Sequence, residues 1–88
     1  MKFLHFEVDT SAGDAVLVEL SGNAANVRLM DFINFNSYRR GGRHRYYGGH
    51  FTRSPAVLHP PHAGHWHVTV DLGGYRGHVN ATVRVVNT

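Results

Sequence analysis

Cysteine is absent from the 88-residue chain. That excludes a disulfide framework and thiolate ligation of zinc or an iron–sulfur cluster. Acidic residues are missing from a long middle stretch: residues 32–70 contain none, yet hold Arg39, Arg40, Arg43, Arg45 and Arg53. Residues 1–31 are the reverse, with Glu7, Asp9, Asp14, Glu19 and Asp31 against Lys2 and Arg28. The formal net charge of +3, with histidine neutral, conceals this division. It points to an anion-facing surface in the middle of the chain, made more positive below about pH 6.5 as its histidines protonate.

Long apolar runs are missing too. No stretch approaches the roughly 18 apolar residues of a membrane span, and MKFLHFEVDT is interrupted by His5, Glu7 and Asp9 where a secretory leader would be continuously apolar. A soluble, cytoplasmic protein with no membrane partner is expected. Catalytic signatures are absent as well: no serine lies in a GxSxG elbow, there is no HExxH, and GGHFTRSP lacks the lysine and hydroxyl ending of a P-loop. The chain reads as non-enzymatic. It is short enough that a split would leave neither half a core, so residues 1–88 are expected to form a single domain.

Period-two alternation of apolar residues is the dominant pattern, bounded by glycine, proline, asparagine and serine. KFLHFEV sets Leu4, Phe6 and Val8 on one face and Phe3, His5 and Glu7 on the other. AVLVEL presents Val16, Val18 and Leu20, and NVRLMDF presents Val27 and Leu29 while Met30 and Phe32 fall on the other parity. HWHVTVDL is the clearest strand, with Trp66, Val68, Val70 and Leu72 facing a core in which Trp66 is an anchor. GGYRG follows it, then HVNATVRVV, and the two runs read as a terminal antiparallel hairpin. Two further short strands fit HRYYGGHF and PAVL.

No helix is expected. NAANVRLMDFINF has enough apolar residues, but no capping box, and its asparagines and β-branched residues lower helix propensity. About seven short strands with frequent turns predict an all-β, single-domain antiparallel β-sandwich, jelly-roll-like in one arrangement.

Two segments carry candidate chemistry. SYRRGGRHRYYGGHFTR, residues 37–53, offers arginine forks for phosphate or carboxylate, tyrosine rings for stacking, and glycines that permit close backbone approach. Were RRGGR a hairpin turn, Arg43, Arg45 and Tyr47 would share one face. HPPHAGHWH, residues 59–67, holds four histidines in nine positions. His65 and His67 stand at i and i+2 on one strand face, a spacing that suits metal ligation, and His59 or His62 would have to complete the set from the preceding proline loop. Asp71 lies roughly 13 Å further along the strand than His67, too far to share an ion.

Together, NAANVRLMD, HRYYGGHFTRSP and PHAGHWHVTVDLGGYRG resemble a small bacterial family known as domain of unknown function 1883, across nearly the whole chain. The resemblance implies a compact domain with a binding-module habit, of the kind found beside signalling domains such as TIR domains, and brings no catalytic residues with it.

The sequence therefore predicts a ligand-binding or sensing module. Arg39, Arg40, Arg43 and Arg45 are the anion donors, Tyr46 or Tyr47 the stacking platform, and His65 and His67 the rim; the ligand is a nucleotide, a nucleic acid or an acidic protein. No cofactor is required by this reading. One alternative is a divalent metal on His59, His62, His65 and His67; another is an interaction domain that forms a homodimer through an exposed strand edge.

Overall fold

The computed structural model describes residues 2–87, which fold into seven strands and one helix. One antiparallel sheet has four strands in the order β1 (Leu4–Thr10), β6 (Gly64–Asp71), β3 (Ala25–Met30) and β4 (Tyr47–Phe51). The other has three, in the order β5 (Ala56–Leu58), β2 (Ala15–Gly22) and β7 (Val79–Val86). Their facing sides bury Val16, Val18, Val27, Leu29, Leu58, Trp66, Val68 and Val70 in one core, the expected β-sandwich with Trp66 inside it. Among the described residues no helix is long and apolar enough to cross a membrane.

The terminal hairpin does not form. β6 is flanked on both sides, by β1 and β3, so it has no free edge to offer β7. Residues 72–78 instead carry the chain across to the second sheet, where β7 pairs with β2 from Ala15↔Val86 to Gly22↔Val79. This register turns Val79, Ala81 and Val83 toward the shared core.

The expectation of no helix is also overturned. Phe32–Arg39 form α1, two turns that pack on the outer face of the four-stranded sheet over β3 and β6. Asp31 caps it, accepting the Asn34 backbone N–H at 2.8 Å, so an aspartate cap without the glutamate of a capping box is enough. Helix propensity is overridden by burial of Phe35 and Tyr38, which with Met30 and Phe3 form a second apolar cluster under the helix.

At the other end, Gly41 and Gly42 donate their N–H groups to the carbonyls of Tyr38 and Ser37, at 3.0 and 2.8 Å. This is a Schellman closure, and Gly41, at φ +80°, takes the left-handed position it needs. RRGGR is thus a helix stop, not a hairpin turn, and residues 41–46 are irregular chain before β4. Gly48, at φ +130°, lets β4 lie against β3: a Cβ there would stand 2.1 Å from the Val27 carbonyl oxygen.

Candidate functional site

The alternation that fills the core leaves polar residues on the outer face of the four-stranded sheet. The β1–β6 register sets His5 beside Thr69, Glu7 beside His67 and Asp9 beside His65. Because α1 covers β6 and β3 from outside, His67, Thr69 and Asp71 are as buried as the core residues they alternate with.

Asp71 fixes the helix to the sheet. Its carboxylate accepts from Arg28 at 2.5 Å, from the Tyr38 hydroxyl at 2.6 Å, from Asn26 at 3.0 Å and from the Gly73 backbone at 2.8 Å. Burial alone would raise its pKa, but these donors and the Arg28 charge hold it below the usual carboxylate value. The Tyr38 hydroxyl is pushed up by burial and by its bond to that carboxylate.

Beside this network lies a histidine and carboxylate cluster. His65 Nδ1 stands 2.7 Å from Asp9 and Nε2 stands 2.9 Å from Glu7. His67 Nδ1 is 2.9 Å from His5 Nε2 and 4.0 Å from Glu7. Phe35 roofs both inner imidazoles, stacking on His67 at 4.6 Å and on His5 at 4.2 Å. Phe32, 61% exposed, brings its ring to 6.0 Å from His67 at the rim.

The two β6 histidines are tuned in opposite directions. His65 is raised by its bonds to Asp9 and then Glu7, whereas His67 is lowered, first by burial and next by the neighbouring His5. Glu7 is lowered by its bond to His65. Both shifts favour a neutral His67 and an ionised Glu7.

One donor atom from each of Glu7, His65 and His67 lies within 4.8 Å of the other two. Tetrahedral zinc, with bonds near 2.0–2.1 Å, sets its ligands about 3.4 Å apart. The 2.9 and 4.0 Å separations from Glu7 bracket that value, so small side-chain rotations would close the set. Asp9 on His65 Nδ1 is the carboxylate orientation that metal-binding imidazoles usually have, leaving Nε2 directed at Glu7. His5 competes for the Nδ1 lone pair of His67.

Of the four histidines in the 59–67 segment, His65 and His67 meet here and His59 and His62 do not belong to the cluster. His62 packs on the other side of the strand, its ring 5.0 Å from Trp66. Glu7 and Asp9 were not among the candidate ligands drawn from the sequence. The alternation of HFEVD does put His5, Glu7 and Asp9 on one face, but nothing local says which strand lies beside it.

The arginine segment is on the opposite side of α1. Arg43, His44, Arg45 and Tyr46 line an open groove with Arg28 and Asn34. The helix holds this loop in place: Asn34 Oδ1 accepts the Arg45 backbone N–H at 2.7 Å, and the Ser37 hydroxyl bonds the Arg43 carbonyl. Arg28 lies over the Tyr46 ring at 5.0 Å. Arg39 lies over Phe35 at 5.5 Å, and Arg40 borders a separate shallow recess beside Ser37. Tyr47 points to the other face, edge-on to Trp66 at 6.1 Å. His65 and His67 do not line the arginine groove.

No curated protein and no solved structure has significant similarity to the chain. A family model, by contrast, matches residues 1–88: the chain belongs to the family described as Domain of unknown function (DUF1883).

Proposed function

We propose that this domain is a binding module for a divalent transition-metal ion, held by Glu7, His65 and His67. The observation that carries the reading is the convergence of three suitable donor atoms from adjacent strands within 4.8 Å. Two nitrogens and one carboxylate oxygen suit zinc, with nickel and cobalt as related occupants. Three protein ligands leave a fourth position for water or an incoming donor. Glu7 and His65 are exposed, so that position faces solvent.

The test is titration of chelator-treated, untagged protein with zinc, nickel and cobalt by calorimetry. One equivalent is expected to bind in the parent and in His59→Ala and His62→Ala, and binding is expected to be lost in His65→Ala and His67→Ala. An absence of saturable binding at micromolar metal would refute the reading. So would equal binding by all four variants.

A second reading keeps an anionic ligand in the arginine groove. It is favoured by one observation: Arg28, Arg43, His44, Arg45 and Tyr46 share a single groove whose loop contains no acid. Charge neutralisation would drive such binding, so it should weaken as salt rises. Titration with ATP and a short oligonucleotide at two salt concentrations tests it, and no binding at low salt would end it.

A further inference from the structure

The two sheets do not close on each other along one side of the sandwich. β1 is an edge of the first sheet and β7 an edge of the second; they pack side by side without pairing. The loop of residues 72–78 arches past this side, and an open cavity of about 1050 Å³ lies beneath it. That is just above the roughly 300–1,000 Å³ typical of small-molecule sites. Its floor is apolar, formed by Phe3, Leu4, Leu72 and Val79 over the buried Val70, and His78 joins the loop residues on its other side.

The charges at its mouth have one sign. Lys2 and Arg76 line the cavity, and among the described residues neither forms an ion pair. Asp71 is the only acid in the lining, and its carboxylate is fully engaged with Arg28, Tyr38, Asn26 and Gly73. Tyr75, at the tip of the loop, is 83% exposed, far more than an aromatic ring prefers. Gly73, Gly74 and Gly77 all have positive φ around it.

We propose that this cavity binds a single-chain amphiphile with an anionic head, its aliphatic chain beneath the 72–78 loop against Leu4, Leu72 and Val79 and its head between Lys2 and Arg76. An apolar slot beside unpaired cations is complementary to that chemistry and to few others. A sugar or nucleotide would leave its hydroxyls and ring nitrogens against Leu4, Val70 and Val79 without partners. A cationic amphiphile would be repelled at the mouth. Tyr75 would lose its exposure by folding over the bound chain.

The experiment titrates the full chain with octanoate, decanoate and dodecanoate below their micellar concentrations, followed by calorimetry and by methyl NMR. Each fully buried methylene adds about fourfold in affinity, and a half-open cavity about half that effect in free energy, or twofold. Affinity should therefore rise at least about tenfold from octanoate to dodecanoate. Shifts should concentrate on Leu4, Val70, Leu72 and Val79. The double variant Lys2→Glu, Arg76→Glu, altered only at exposed positions, should weaken dodecanoate by tenfold or more and gain affinity for dodecyltrimethylammonium.

Three results would overturn the proposal. They are no saturable binding of dodecanoate, equal binding of the anionic and cationic amphiphiles by the parent protein, and adsorption to anionic vesicles without binding of the monomeric fatty acid. His65→Ala should bind dodecanoate normally, which keeps this site separate from the metal reading.

Discussion

Replacing Asp71 by alanine tests the connection between sheet, helix and site. The substitution leaves the Arg28 guanidinium, the Tyr38 hydroxyl and the Asn26 amide without their acceptor. Removing one partner of a buried ion pair costs about 3–5 kcal/mol. Arg28 retains 17% side-chain exposure, so water recovers part of the loss and the lower figure applies, about 3 kcal/mol. A domain of this length is stable by about 4–13 kcal/mol. Loss of 3 kcal/mol then lowers Tm by about 12–24 °C.

Asp71→Asn keeps the volume and an acceptor oxygen and should cost about 1–2 kcal/mol. The sign of the pH effect follows from the lowered Asp71 pKa. Its contribution is complete above the unfolded carboxylate value near 3.9 and is lost as pH falls through the depressed folded value. The gap between the parent and Asp71→Asn should therefore narrow only in that acid range. Urea melts give the energies, and NMR contacts between Phe35 and His67 report whether α1 stays seated. A cost for Asp71→Ala below about 1 kcal/mol would refute the reasoning, as would an undisturbed Phe35–His67 contact despite a large loss of stability.

Other outcomes follow from the histidine cluster and the groove. Zinc affinity should fall as pH drops through the raised His65 pKa, because the proton shared with Asp9 and Glu7 must leave before the metal binds; calorimetry at pH 6 and pH 8 measures this. In the metal-free protein, His65→Ala should destabilise more at pH 6 than at pH 9, since a raised pKa stabilises below the unfolded value near 6.5 and loses that effect as pH rises through the folded one. Phe35→Ala should move the His67 pKa upward by opening it to water, visible in the imidazole proton shifts, and should cost about 3 kcal/mol. Arg43→Glu and Arg45→Glu should each lower the salt slope of oligonucleotide binding by about 1 where that arginine meets a phosphate.

The strands were legible because their side chains alternate without interruption. Val16, Val18 and Leu20, or Trp66, Val68 and Val70, leave only one way to fill a core. The helix was not legible, for a definite reason. Phe32 and Ile33 are exposed while Phe35 and Tyr38 are buried, so its apolar residues do not form the single stripe that marks a helix in sequence. Its cap is an aspartate and its stop a glycine pair that serves hairpins equally well. The site was half legible. His65 and His67 follow from strand parity, but Glu7 reaches His65 across 58 residues of chain, and pairing of β1 with β6 is a property of topology rather than of local pattern.

The separation of the two charged sites has the same origin. A sheet packed on one face has an outer face to occupy, and an eight-residue helix sits mainly over its middle strands, β6 and β3, with Phe35 reaching His5 of β1. The polar residues left uncovered fall on either side of it. The carboxylates of β1 meet the β6 histidines at one edge, and the arginines that follow the helix collect beside β4 at the other. On the proposed readings, a cation and an anion would bind on opposite flanks of α1. Phe35 rests on His67, while Asn34 and Ser37 hold the backbone of the arginine loop. The flanks are joined through the β1–β6–β3–β4 ladder and through α1 with the Asp71 carboxylate that fixes it, and a mutual effect of metal and anion titrations that is lost in Asp71→Asn would assign the coupling to the helix.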